Sequence, residues 1–131
     1  MCGIAGILSS SGHYSLEQLQ RMTKAIAHRG PDGESHWQNA DRSVLLGHRR
    51  LAIIDLSAAA AQPMQRREDE AQDLVIVYNG EIYNYKEIRQ TLLQKGHHFA
   101  TQSDTEVILA AYQEYGAACV DHFDGMFAFA I

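Results

Sequence analysis

The apolar segment Gly3–Leu8, rich in glycine, predicts a buried strand, and residues 9–12 predict a turn. From Ser15 the spacing changes. Leu16, Leu19, Met22 and Ile26 recur at helical intervals, and Ser15 with Gln18 has the capping-box spacing of a helix start. His28-Arg29-Gly30-Pro31-Asp32-Gly33 ends that helix, because two glycines and a proline cannot continue it. Strand signals follow at 34–38, 43–47 and 51–56. The polar, alanine-rich stretch 57–72 reads as a surface loop, with 66–70 as a solvated charge run. Residues 74–78 are a β-branched run and predict a strand buried on both faces. Asn79-Gly80-Glu81 then predicts a turn, after which Ile82-Tyr83 resume the strand. Asn84 with Glu87, and Ser103 with Glu106, mark two further helix starts that Gly96 and Gly116 stop. Val107, Ile108, Ala111 and Tyr115 line the buried face of the second of these helices. The apolar run 125–131 predicts a last strand, so the domain is expected to continue beyond Ile131; a chain ending there exposes an unpaired edge.

The pattern by itself predicts a mixed α and β domain, and 131 residues suffice for one domain with a real core. A hydrophobic share of 46% excludes a disordered chain, and no apolar run approaches the roughly 20 residues of a membrane span. A formal net charge of −5 leaves no basic footprint for nucleic acid. Two cysteines, Cys2 and Cys119, make no disulfide framework, and with no signal-peptide pattern a cytoplasmic setting is expected. Adjacent His97 and His98 lack ligand spacing, so no metal site is predicted. Cys119, in an apolar stretch, reads as an inert buried thiol.

Cys2 carries the chemistry. Removal of Met1 would place a thiol and a free α-amine of pKa about 7.7–8.0 on one residue, a nucleophile and a base joined by covalent geometry. Four constellations accompany one another in order. They are Cys2-Gly3-Ile4-Ala5-Gly6-Ile7, His28-Arg29-Gly30-Pro31-Asp32-Gly33, Gly47-His48-Arg49-Arg50-Leu51-Ala52-Ile53-Ile54-Asp55, and Tyr78-Asn79-Gly80-Glu81-Ile82-Tyr83-Asn84 with Ser103-Asp104-Thr105-Glu106. Taken together they resemble the class II glutamine amidotransferases, over essentially the whole chain. Within that family, Pro31 resembles the glutaminase domain of asparagine synthetases. The alanines at 58–61 depart from a stretch that is usually richer in glycine or histidine.

The resemblance implies an α+β fold, a four-layer αββα sandwich of two antiparallel sheets of the N-terminal-nucleophile hydrolase type, with residues 1–131 as one glutaminase domain incomplete at its C-terminus. It implies Cys2 as nucleophile, Asn79 and Gly80 as the oxyanion hole, Arg50 as the clamp for the substrate α-carboxylate, and Asp104 as the acceptor of its α-ammonium. Leu51, Ala52, Ile53 and Ile54 are implied to line the pocket, and Glu81 is a further pocket residue. Arg49 is expected to point away from Arg50 and make a surface salt bridge, while His28 and His48 read as structural. The implied substrate is L-glutamine, with no cofactor for this domain. The implied partner is a C-terminal synthetase domain using ATP and magnesium; a homodimer is compatible with it, and nucleic acid and membrane are not expected. Two alternatives stay open: a glutaminase feeding a β-lactam-forming or sugar-modifying synthetase, and a non-catalytic assembly module that keeps Met1.

Overall fold

The computed structural model describes residues 1–52, 57–67 and 73–131. Its elements are β1 (Gly3–Leu8), α1 (Leu16–Ala25), β2 (Gly33–Gln38), β3 (Val44–Arg50), β4 (Met64–Arg67), β5 (Asp73–Ile82), α2 (Tyr85–Gln94), α3 (Asp104–Tyr115) and β6 (Gly125–Ala130). Two antiparallel sheets result, ordered β1-β3-β2 and β4-β5-β6. Helix α1 covers the outside of the first sheet, where the missing side chain of Gly47 leaves room for Leu19 and Thr23. Helices α2 and α3 cover the second over a core that includes Ile76, Ile82, Ile88, Leu92 and Ile108. Between the sheets Leu46 packs on Val75 and Val77, with Ile4, Trp37 and Val44 at its margin. The layers therefore run helix, sheet, sheet, helices, the α+β sandwich the sequence led us to expect.

Local chemistry explains the boundaries. Ser15 caps α1 and forms the reciprocal capping box with Gln18. Of that helix's expected apolar face only Leu19 is fully buried, joined by Thr23; Leu16 and Met22 stay exposed. Ser103 caps α3 through the Glu106 N–H. The Glu106 carboxylate instead accepts from the Ala100 and Thr101 N–H groups, so this box is not reciprocal.

Five expectations are corrected. Residues 57–72 are not one surface loop: Met64–Arg67 form β4 against β5, with Met64 and Arg66 turned inward. Arg66 is buried rather than solvated, because its guanidinium finds Gln113 Oε1 at 2.6 Å, the His98 carbonyl at 2.9 Å and the Phe99 ring. Asn79-Gly80-Glu81 do not turn; β5 runs straight through them, held by pairing with β6. Asn84 does not cap α2 with its side chain, which bonds the His122 carbonyl and the Asp124 N–H and ties the entry of β6 to β5. Of the strand expected at 51–56, Leu51 and Ala52 are not in a strand, and 53–56 lie outside the described residues, as do 68–72.

Candidate active site

Strand register brings the first half of the site together. Gly3 pairs with Arg49 and Ile4 with His48, so His48 and Arg50 share the face of β3 that carries Leu46 toward the second sheet. Arg49 takes the opposite face, as expected. Its Nε donates to the Gly30 carbonyl at 3.1 Å and its guanidinium pairs with Glu34 at 2.7 Å. Glu34 is exposed, so the pair lies at the surface, as anticipated, with the Arg49 side chain largely covered. Cys2 leads into β1, and its Sγ lies 3.4 Å from the Leu51 N–H nitrogen and 3.6 Å from the Leu51 carbonyl oxygen. Arg29 Nε donates to the Cys2 carbonyl at 3.0 Å.

The loop of His28 to Gly33 explains its own composition. A β-carbon on Gly30 would drive into the Arg49 carbonyl and meet the Arg50 nitrogen at 2.6 Å. The Asp32 N–H donates to the Arg50 carbonyl, and the Asp32 carboxylate accepts from Ala52 N–H at 3.0 Å. The loop thus clamps the backbone just where β3 leaves the sheet and meets Cys2. Arg50 itself donates to the Ser57 carbonyl at 3.0 Å.

A cavity of about 200 Å³ opens between these residues and the second sheet. From the first sheet it is lined by Met1, Cys2, His48, Arg50, Leu51 and Ala52. Tyr78, Gly80 and Glu81 line it from β5, and Ser103, Asp104 and Thr105 from the start of α3. Of the residues named from the sequence, Cys2, Arg50, Leu51, Ala52, Gly80, Glu81 and Asp104 meet here. Asn79 adjoins Gly80 on β5 but is not among the lining residues, and Ile53 and Ile54 lie outside those described. Gly80 is demanded by packing. Its φ is +156°, and a β-carbon there would strike the Met126 carbonyl and sit 2.6 Å from Phe127 Cα.

Asp104 is the first residue of α3, buried to 4% exposure. Its Oδ2 accepts from the Tyr78 hydroxyl at 2.7 Å and from the Ile82 N–H at 3.3 Å. Burial, reinforced by the Asp104 carboxylate, lifts the Tyr78 phenol far above its ordinary range and keeps it a donor. Tyr78 N–H in turn donates to Gln62 Oε1 at 2.6 Å, and Gln62 Nε2 to Thr105 Oγ1 at 3.2 Å. Burial pushes His48 down to about 4, with the Arg50 charge adding to it and the Tyr78 backbone opposing, so the ring is neutral at pH 7. Its Nε2 is buried and makes no hydrogen bond among the described residues. Sequence reasoning did not single out Tyr78 or Gln62 and read His48 only as structural. Tyr78 hides in a β-branched strand and Gln62 in a polar stretch, whereas His48 lies in a motif whose alternation with Arg50 could have revealed it.

The other sequence candidates lie elsewhere. Cys119 is buried and its thiol is pushed up by burial. His97 pairs with Glu114 at 2.9 Å. Among the described residues no three His, Cys, Asp or Glu side chains are grouped to hold a metal, and no helix is long and apolar enough to cross a membrane. The cavity therefore presents a thiol, a guanidinium and a carboxylate along one lining.

The family described as "Glutamine amidotransferase domain" matches residues 1–131. A protein of Methanocaldococcus jannaschii, provisionally named glutamine-hydrolyzing asparagine synthetase 2, is 43% identical over the whole chain, which covers 27% of it. Glutamine-hydrolyzing asparagine synthetase 3 of Bacillus subtilis is 41% identical, again over the whole chain, which covers 21% of it. The chain thus spans about a quarter of the length of these relatives. Among solved structures, the glutamine phosphoribosylpyrophosphate amidotransferase of B. subtilis superposes on 98% of the chain and 34% of its own, with a TM-score of 0.73 at 21% identity. At that identity the likeness bears on the fold alone, and it is the same sandwich.

Proposed function

Because the chain belongs to the glutamine amidotransferase domain family, we propose that it hydrolyses the side-chain amide of L-glutamine with Cys2 as nucleophile. The observation that supports this reading is that Cys2, Arg50 and Asp104 line a single cavity. In it, Arg50 receives the substrate α-carboxylate and Asp104 the α-ammonium, which aims the side-chain amide at Cys2. The Cys2 sulfur attacks the amide carbon, and the thiol proton passes to the residue's own α-amine. The oxyanion is met by the Gly80 N–H and the amide of neighbouring Asn79, donors of a kind typically worth about 3–4 kcal/mol each in the transition state. Ammonia leaves with the proton returned, a γ-glutamyl thioester remains, and water cleaves it to glutamate and the free thiol. Leu51 and Ala52 shape the pocket wall with Glu81, and the Leu51 N–H steadies the sulfur.

Met1 must first be removed. While it is present the Cys2 nitrogen is an amide without basicity, and Met1 itself lines the cavity. Following the relatives' names, the ammonia goes to a synthetase domain of a longer protein. That domain would use ATP and magnesium to convert aspartate to asparagine. Two unpaired cysteines, Cys2 and Cys119, suit a cytoplasmic setting. The test pairs intact mass with glutamate release from glutamine on one sample. A chain lacking Met1 forms glutamate, and Cys2→Ala abolishes it; turnover that survives Cys2→Ala rejects the proposal.

A further inference from the structure

Tyr78 sits on the face of β5 that also carries Ile76 and Ile82 into the core beneath α2 and α3. Its neighbours there are apolar, and a phenylalanine would fill the same space. Among the described residues the hydroxyl makes one hydrogen bond, at 2.7 Å to Asp104 Oδ2. That oxygen also takes the Ile82 N–H, whereas Oδ1 accepts no hydrogen bond among the described residues, and Asp104 lines the cavity. One oxygen is therefore tied back into the protein and the other is presented to whatever enters. The tie is firm because Tyr78 is itself fixed, through its N–H on Gln62, which holds Thr105 on the same helix end as Asp104.

We propose that Tyr78 is a positioning residue that acts through Asp104 to select substrates bearing an α-ammonium. The inference rests on the glutaminase reading above and deepens it. Without the hydroxyl, Oδ2 keeps only the longer bond from Ile82. The carboxylate is then free to rotate about its Cβ–Cγ bond, toward the N–H groups at the start of its own helix, and so loses its aim into the cavity. The loss falls on recognition of the ammonium. Cys2 Sγ lies against the Leu51 backbone and Arg50 donates to the Ser57 carbonyl.

The test compares L-glutamine with 4-carbamoylbutanoate, which has the same amide and carboxylate but no amine, in the processed wild-type chain and in Tyr78→Phe. Removing a hydrogen bond to a charged group predicts a rise of about tenfold in KM for glutamine, with kcat held within about twofold. The analogue's kinetics stay unchanged, so the preference for glutamine collapses. Equal losses for both substrates, or no loss for either, overturn the proposal. A melting curve checks that the variant is folded. Tyr78→Met, which fills the apolar space without a donor, serves as a second variant. A wild-type chain that releases no glutamate overturns the glutaminase reading separately. The comparison then moves to binding, L-glutamate against glutarate by calorimetry, where an equal loss for both ligands again overturns the role of Tyr78.

Discussion

Helices α3 and α1 each cover one sheet, but α3 is buried along every residue from Asp104 to Ala111 whereas α1 fully buries only Leu19 and Thr23. Under α3 the stretch from Val107 to Ala111 packs in an apolar core, while Asp104, Thr105 and Glu106 at its start are held by hydrogen bonds. Under α1 the contacts are polar to a large degree: the Thr23 hydroxyl donates to Glu34 at 2.6 Å and lies 2.8 Å from His36 Nε2, and Glu34 is paired in turn with Arg49. The thiol-bearing half of the cavity thus depends on strand pairing, a clamping loop and charged contacts. The half that bears Asp104 depends on close packing. The geometry between Cys2 and Asp104 is only as firm as the weaker of the two, which is the α1 side.

The sharpest test of this contrast is a pair of truncations read by urea denaturation. Ile108→Ala opens a cavity in the α3 core and costs about 3 kcal/mol. Met22→Ala, on a side chain 41% exposed, stays within about 0.5 kcal/mol. Equal costs would erase the distinction. Acid probes the seam between the halves, where His48 sits. The folded chain keeps that ring neutral down to about pH 4, while the unfolded chain binds its proton from about pH 6.5. Stability is therefore complete above pH 6.5 and falls as pH drops toward 4, by up to about 3 kcal/mol. His48→Gln should flatten that slope; an unchanged slope would assign the acid sensitivity elsewhere. The smallest effect is expected from Glu34→Gln. Losing the Arg49 pair and weakening the Thr23 contact should cost about 1 kcal/mol at low salt and less at high salt. A loss indifferent to salt would mean that packing, not charge, holds α1.

Legibility in the sequence follows the same division. The first sheet and α1 were readable because apolar spacing, a reciprocal cap and the Gly30-Pro31 break all agree. Strand β4 was not, because its inward residue Arg66 is charged and buried only by virtue of Gln113, His98 and Phe99, which lie far along the chain. Asn79-Gly80 carries a strong turn signal that pairing with β6 overrides, and no local rule contains that partner. Within the site, Cys2, Arg50 and Asp104 stand in motifs and were readable as such. Tyr78 was not, since nothing in a β-branched run tells that one hydroxyl will meet a helix start.

The placing of Met1 carries a practical consequence for anyone producing the protein. Its side chain lies on the wall of the cavity that holds Cys2 and Arg50. Residues appended ahead of it in an affinity handle would keep the Cys2 nitrogen an amide and leave Met1, itself largely exposed, at the opening of that cavity. A handle at the other end leaves that opening clear and leaves Cys2 within reach of the aminopeptidase that must uncover it.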